Sequence, residues 1–437
     1  MLGYILALAM PFVLVPIVGA NKERTHRRML AALFAAYFLR ILLQSFFREV
    51  SFFSYGAGGD WIHYEEKALV VQQFWEHGVY RYITSDDWDY MGQTSLPPNL
   101  FGVIYFLNRG PTRIGCCSFV ALAACLTCLN LYYLALDLGV DGKKAFTVFL
   151  VMLFSPAFLL YTSDLYKDGL VLLFVVGAFA SAIRLSRGFS LVHLAIGIAS
   201  CVCLYGCRFY LIFVTMAPLL IGALGVGSKN AARQLVIALL IVAGLIYVLA
   251  FTQVFRAAND TANLAWDAGT TGATSLTEHA NRTGSNVDFD DAGSPTGALG
   301  LKLIYTLFAP FPWMGGSLAL QIGKVEALIW YYMFYRACVA GRRLWRENRG
   351  LLLMFLSFLV PTTVMYALIM VNVGLTLRER MGIVFIGYML AMLSWVKDTE
   401  ATTAPAMGEE PPSRAVRHPI PKRVLSPPVH ERSGEPA

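Results

Sequence analysis

Apolar residues recur along this chain in runs of about 17–22 positions, long enough to cross a hydrocarbon core of ~30 Å as helices. They fall at 2–19, 29–46, 115–136, 145–161, 169–184, 190–205, 209–224, 234–251, 318–340, 350–371 and 381–396. The pattern predicts an all-α polytopic membrane protein with about 11 transmembrane helices, since a backbone in lipid must satisfy its own polar groups. Two apolar stretches do not fit as full spans. Leu100 to Leu107 is too short, and Leu299 to Trp313 contains Lys302 and ends in APFPW. A full crossing at 299–313 would carry the Arg342–Arg349 cluster to the wrong side by the charge rule below. It is therefore read as a re-entrant or interfacial segment, which implies a polar cavity on the outer side.

Two outer loops are long, 47–114 and 252–297. In the first, residues 56–76 read GAGGDWIHYEEKALVVQQFWE. Trp61, Tyr64, Ala68, Val71 and Trp75 recur at three- and four-residue steps and form one apolar face. The spacing predicts an amphipathic helix lying flat on the membrane surface with its indoles in the interface, and Asp60 at its start. The second loop, rich in Thr, Asn, Asp and Gly, has neither a helical nor a strand period. A transmembrane unit over 1–397 is followed by a tail, 398–437, rich in Pro, Glu, Arg and Ser, which reads as disordered.

Composition agrees with the pattern. Charged residues make up 14% of the chain, against about 25% in soluble domains, and mean hydropathy is +0.57. The net charge of +7 requires no nucleic-acid partner, because the excess lies in the connecting loops. One set of short loops carries Lys22, Arg24, Arg27, Arg28, Lys143, Lys144, Arg184, Arg187, Lys229, Arg233, Arg342, Arg343, Arg346 and Arg349; the other carries only Lys167, Arg208, Arg378 and Arg380. That bias places the first set in the cytoplasm, the N-terminus outside and the C-terminus inside, in a multi-pass protein of the cell's inner (cytoplasmic) membrane. No basic residue precedes the first apolar run, so that run is read as a span and not as a cleaved signal. Cys125-x-x-Cys128 sits in an apolar helix without His or Asp neighbours and reads as packing. Cys116 and Cys117 lie near the outer edge, where a bridge to Cys207 stays open.

This topology gathers ionisable groups on the outer face: Asp60, then Asp164, Lys167 and Asp168, then Arg208, then Arg378, Glu379 and Arg380. Charges near a bilayer face a bundle interior, pair, or bind a charged ligand. Each also has a plainer role. Asp60 serves equally as a helix N-cap, Asp164 as a favourable charge at a helix start, Lys167 and Asp168 as a local ion pair, and the late arginines as snorkelling anchors. His63 and Glu65 are secondary candidates on the wet face of the surface helix. Lys324 and Glu326, early in their span, read first as an internal pair and second as cavity lining. The acidic run SDDWD at Asp86, Asp87 and Asp89 could hold a divalent metal, but reads first as a solvated loop, and no metal ligand is assigned.

Three segments carry a resemblance: GGDWIHYEEKA in the first outer loop, SPAFLLYTSDLYKDGLVLL in the middle, and LRERMGIVFIGYMLAML at the end. Together they resemble the polyprenyl-phosphate-dependent glycosyltransferases of the GT-C class, such as protein mannosyltransferases and aminoarabinose transferases. IYTLFAPFPW followed by KVEALIWYY also resembles uncharacterised bacterial membrane proteins of exopolysaccharide and O-antigen synthesis. The resemblance implies a polyprenyl-phosphate-linked sugar donor and a glycan, lipid or protein acceptor. It implies Asp60 as general base, and Arg378, Arg380, Lys167 and Arg208 around the lipid phosphate. An O-antigen-type polymerase, and a flippase or exporter of lipid-linked glycans, are the alternatives.

Overall fold

In a computed structural model of the chain, the described residues are 1–20, 26–49, 60–92, 94–225, 289, 298–315, 318–368 and 373–396. The expected span at 234–251, nearly all of the loop at 252–297 and the tail at 398–437 lie outside them. Residues 1–397 belong to one compact unit. Among the described residues there are helices and no strands.

Six of these helices are long and apolar enough to cross a membrane by length and composition. They are α1 (Leu2–Gly19), α2 (His26–Glu49, apolar over Arg27–Phe46), α5 (Arg113–Asp137), α8 (Asp168–Arg187), α9 (Leu191–Arg208) and α13 (Arg349–Leu368). Between them come α3 (Asp60–Glu76), α4 (Leu96–Asn108), α6 (Gly142–Leu153), α7 (Pro156–Tyr161), α10 (Leu211–Leu224), α11 (Leu299–Phe308), α12 (Leu318–Glu347), α14 (Val373–Glu379) and α15 (Met381–Met392). These helices define the chain as an all-α, multi-pass membrane protein.

Of the eleven expected runs, 234–251 lies outside the described residues, and four others fall short for local reasons. The run at 145–161 is not one helix. Ser155 takes an extended conformation (φ −57°, ψ 129°) before Pro156, as the proline ring demands of its predecessor, and the helix breaks into α6 and α7. Helices α10 and α15 are 14 and 12 residues long. Helix α12 is long, but Lys324, Glu326 and Arg336 interrupt its apolar character.

Helices α5 and α8 form the centre, with 78% and 72% of their apolar windows buried, against 28% and 33% for α1 and α2 at the edge. Around α8 pack α5, α9 and α10. Helix α10 approaches α8 so closely that a Cβ on Gly222 would lie 2.2 Å from the Ala182 carbonyl oxygen. Small residues serve this purpose between membrane helices, where close van der Waals contact holds the pair. Helix α15 is apolar all round and buried along nearly its whole length, as a helix without a polar face should be.

Helix α3 forms where the spacing predicts it, but its apolar face is not left for the lipid interface. Tyr64, Ala68 and Val71 are buried, and α3 packs on α4. Gly102 of α4 permits the contact, since a Cβ there would meet Val71 at 2.5 Å. The Trp75 indole is held inside the loop as well, donating to the Arg81 carbonyl at 3.1 Å and meeting the Phe106 ring edge-on.

Helix α11 has 10 residues, a length of about 15 Å, half a hydrocarbon core. Its last carbonyls are capped by side chains. Trp330 donates to Leu307 at 2.7 Å, Tyr331 donates to Phe308 at 2.6 Å, and Arg380 donates to Ala309. That fits a segment that ends at depth without orphaned backbone groups.

Gly222→Leu should wedge α10 from α8 and cost roughly 1–3 kcal/mol of stability. Thermal unfolding of the purified protein in detergent reads this out; an unchanged midpoint would mean that the close contact is dispensable.

Candidate functional site

The loop charges sort to the two ends of the bundle. At one end, Arg184 pairs with Asp137 at 3.2 Å, Lys144 and Arg336 lie over the Trp395 ring, and Arg343 donates to the Val396 carbonyl at 2.9 Å. Arg184, Lys144 and Arg343 belong to the arginine- and lysine-rich set of loops, and Arg336 of α12 reaches the same end. At the other end of α8, about 30 Å away by helix rise, three distant segments converge on Asp168.

Asp168 opens α8, Arg208 closes α9 and Arg378 lies in α14. The Asp168 carboxylate accepts from Arg208 Nη2 at 2.9 Å and from Arg378 Nε at 2.6 Å. Side-chain exposures of 3%, 5% and 7% mark the trio as fully desolvated. Arg208 also donates to the Tyr366 hydroxyl at 3.4 Å and stands 3.9 Å from Glu379. The Arg378 guanidinium lies 5.2 Å from the Tyr166 ring and 5.6 Å from the Tyr161 ring, close enough for cation–π attraction. Burial pushes the Glu379 carboxyl above its ordinary range, while Arg208 and Arg378 pull it back. A cavity of about 20 Å³ lies among Asp168, Arg208, Tyr366, Arg378 and Glu379, walled by Val171, Phe358 and Met381. That is room for about one water. The trio has two guanidinium groups to one carboxylate and so leans positive, and an anion is the ligand its charge favours.

Lys167 faces the same region. Its ammonium donates to Thr94 at 3.4 Å and sits 6.0 Å from the Tyr64 ring, so it joins α3 and the segment before α4 to the start of α8. The Asp164 carboxylate accepts from the Leu165 amide at 2.8 Å, in the turn between α7 and α8 and not at a helix start as the sequence suggests.

Asp60 begins α3, and its side chain lies outside the described residues. Glu65, on the same helix, pairs with Arg113 at 2.6 Å, and His63 faces Tyr90 at 3.1 Å and Glu66 at 3.6 Å. Neither reaches the Asp168 cluster through these contacts. In the SDDWD run, Asp87 accepts from the Thr84 amide at 3.0 Å and pairs with Arg81. The Thr84 amide, helped by Arg81, holds its carboxyl below the usual range against desolvation. Among the described residues no group of His, Cys, Asp or Glu side chains is arranged to hold a metal. All eight cysteines are free, so the open bridge to Cys207 does not form.

Lys324 and Glu326 do not pair with one another. The Lys324 ammonium donates to the Pro312 carbonyl at 3.0 Å. Glu326 crosses to the helix break, where its Oε2 accepts from Ser155 Oγ at 2.9 Å and from the Ala157 amide at 3.0 Å. It thereby caps the start of α7, an end that favours negative charge. The late arginines also part. Arg378 turns to Asp168, and Arg380 turns to the end of α11.

Sequence reasoning missed Arg40. It is fully buried in α2, donating to the Leu153 carbonyl at 3.0 Å and to Thr162 Oγ1 at 2.7 Å, with its guanidinium 5.1 Å from the Phe158 ring. The break between α6 and α7 therefore has a cation at its carbonyl end and a carboxylate at its amide end. The signal was present: a lone arginine inside an apolar run is a functional or structural marker by default.

No protein-family model matches this chain, and neither a curated protein nor a solved structure matches it significantly.

Asp168→Asn should leave two buried guanidinium groups short of their counter-ion and destabilise the protein by roughly 3–5 kcal/mol. Adding Arg208→Gln should then cost less than it does alone, as expected within one network. Additive losses in thermal or denaturant unfolding would show that the two residues act independently.

Proposed function

We propose that the chain is a membrane glycosyltransferase that takes a sugar from a polyprenyl-phosphate-linked donor on the extracytoplasmic face. The observation that carries the proposal is the buried, positively leaning cluster of Asp168, Arg208 and Arg378 at the bundle end opposite the arginine-rich loops. A phosphate that leaves during transfer gains charge, and preorganised cations in a dry site stabilise that charge. The acceptor hydroxyl gives its proton to the Asp60 carboxylate. Its oxygen then bonds to the anomeric carbon. The bond from that carbon to the phosphate oxygen breaks, and the lipid phosphate departs with the electron pair. The acceptor is a glycan, lipid or protein of the cell surface. A polymerase joining lipid-linked repeats uses the same bond changes.

Transport of a lipid-linked glycan is the second reading, favoured by the break between α6 and α7. Discontinuous helices with charge at the exposed ends are common in transporters.

Asp60→Asn should lower transfer to an acceptor by roughly two to four orders of magnitude, with insertion and stability unchanged. The assay is formation of a new glycosidic bond by purified protein in vesicles supplied with polyprenyl-phosphate sugars. Turnover near wild type in the variant removes Asp60 from the role of base. Movement of the intact donor across the vesicle without bond formation replaces the transferase with the transporter.

A further inference from the structure

Arg380 is 2% exposed. Its Nη1 caps the end of α11, donating to Ala309, to Leu307 at 3.3 Å and to Thr306 at 3.4 Å. That contact explains a cation at this place, since a helix C-terminus favours positive charge. It does not explain an arginine. Nε and Nη2 are both buried and have no hydrogen-bond partner. Together they form the edge of the guanidinium that grips two oxygens of a carboxylate or phosphate at once. Thr306, whose carbonyl Arg380 touches, is fully buried, and its hydroxyl too has no partner. Three N–H groups and a hydroxyl thus stand unsatisfied on two neighbouring residues. Unpaired buried polar atoms are uncommon in native proteins and call for a ligand, ion or water.

No acid among the described residues bonds this edge. Glu326 is engaged by Ser155 and Ala157 and forms no ion pair with Arg380. Lys302 lies one turn before Thr306 on α11 and is also buried. Arg378 differs, because its Nε is committed to Asp168.

We infer that the Nε–Nη2 edge of Arg380 and the hydroxyl of Thr306 form an oxyanion-binding subsite, separate from the Asp168 cluster, which takes a phosphate group. The inference rests on the proposed function only in naming phosphate; the orphaned donors stand without it. The phosphate is either the head group of a lipid or a free anion, and both have the same chemistry.

The test uses full-length protein in nanodiscs of neutral phosphatidylcholine, with undecaprenyl monophosphate and inorganic phosphate as probes and bound probe quantified directly. Wild type should bind a probe, and Arg380→Gln should bind it roughly ten- to a hundredfold more weakly, as expected for lost charge-assisted bonds. Arg380→Lys keeps the buried charge and can still cap α11, so it guards against misfolding. It should fold as wild type yet lose affinity, because an ammonium lacks the fork. Thr306→Val should lose affinity with no change of charge. Binding of the lipid probe without competition from inorganic phosphate identifies a head group; equal competition identifies a free anion. Either result supports the subsite. Wild type binding neither probe, or Arg380→Lys and Thr306→Val binding as tightly as wild type, overturns it. Binding lost in these variants while no sugar transfer is ever seen keeps the subsite and sinks the transferase. Transfer by wild type with unaltered probe binding in the variants does the reverse.

Discussion

A charge surrounded by apolar side chains must find a partner, and this requirement ties the molecule together. Asp168, Arg208 and Arg378 are far apart in sequence and belong to three elements. None of the three can sit at its depth alone, because the effective penalty for desolvating one ion is several kcal/mol. Meeting at one point fixes the start of α8 against the end of α9 and against α14. Lipid-facing packing alone would leave these elements free to slide, since leucine against leucine and leucine against acyl chain are nearly equivalent. The ion cluster therefore acts more as a register device than as a source of net stability. Exchange for apolar residues of equal volume is often neutral in energy.

The same requirement applies to the backbone. Two segments stop inside the bundle, the α6–α7 break and the end of α11. Each would strand carbonyls or amides that lipid cannot satisfy. At the break, Arg40 takes a carbonyl and Glu326 takes an amide. At the end of α11, Arg380, Trp330 and Tyr331 take the carbonyls. Side chains from α2, from α12 and from the junction of α14 and α15 thus complete what the local backbone lacks. The charged residues inside apolar runs are explained largely by this work. The exception is the buried Nε–Nη2 edge of Arg380, which capping does not use.

How much of this was legible in the sequence depends on the range of each interaction. Helix positions were readable because apolar runs report burial residue by residue. The end of the bundle at which Asp168, Arg208 and Arg378 gather was readable because loop charge reports sidedness. The break at Ser155 was readable in principle, since Pro156 constrains its predecessor, but the strong apolar run masked it. Partner choice was not readable. Arg378 and Arg380 look equivalent in LRERM, one residue apart either side of Glu379, yet they serve different elements. Two residues along a helical stretch turn the side chain by about 200°, from 3.6 residues per turn, so a pair in sequence is a divergence in space. Lys324 and Glu326 were misread as partners for the same reason. Glu65 was legible as polar, but only the fold revealed Arg113 opposite it.

The closed state of the Asp168 cluster limits what it can do without moving. Its cavity of about 20 Å³ admits a water and no sugar phosphate. A ligand phosphate there must therefore take over hydrogen bonds that Asp168 now makes, or arrive after α14 shifts away from α8. α14 is short, and it joins α13 to α15, so moving it does not require moving the central pair of α5 and α8. Displacing Arg378 from Asp168 leaves a carboxylate still held by Arg208 and frees one guanidinium between two tyrosine rings. Pairing is kept only where the incoming phosphate takes the place of the Asp168 carboxylate at Arg378, which is the condition for exchange in a medium where an unpaired charge is costly. The arrangement therefore allows the site to open at the side of α14, next to the buried end of α11 where Arg380 stands.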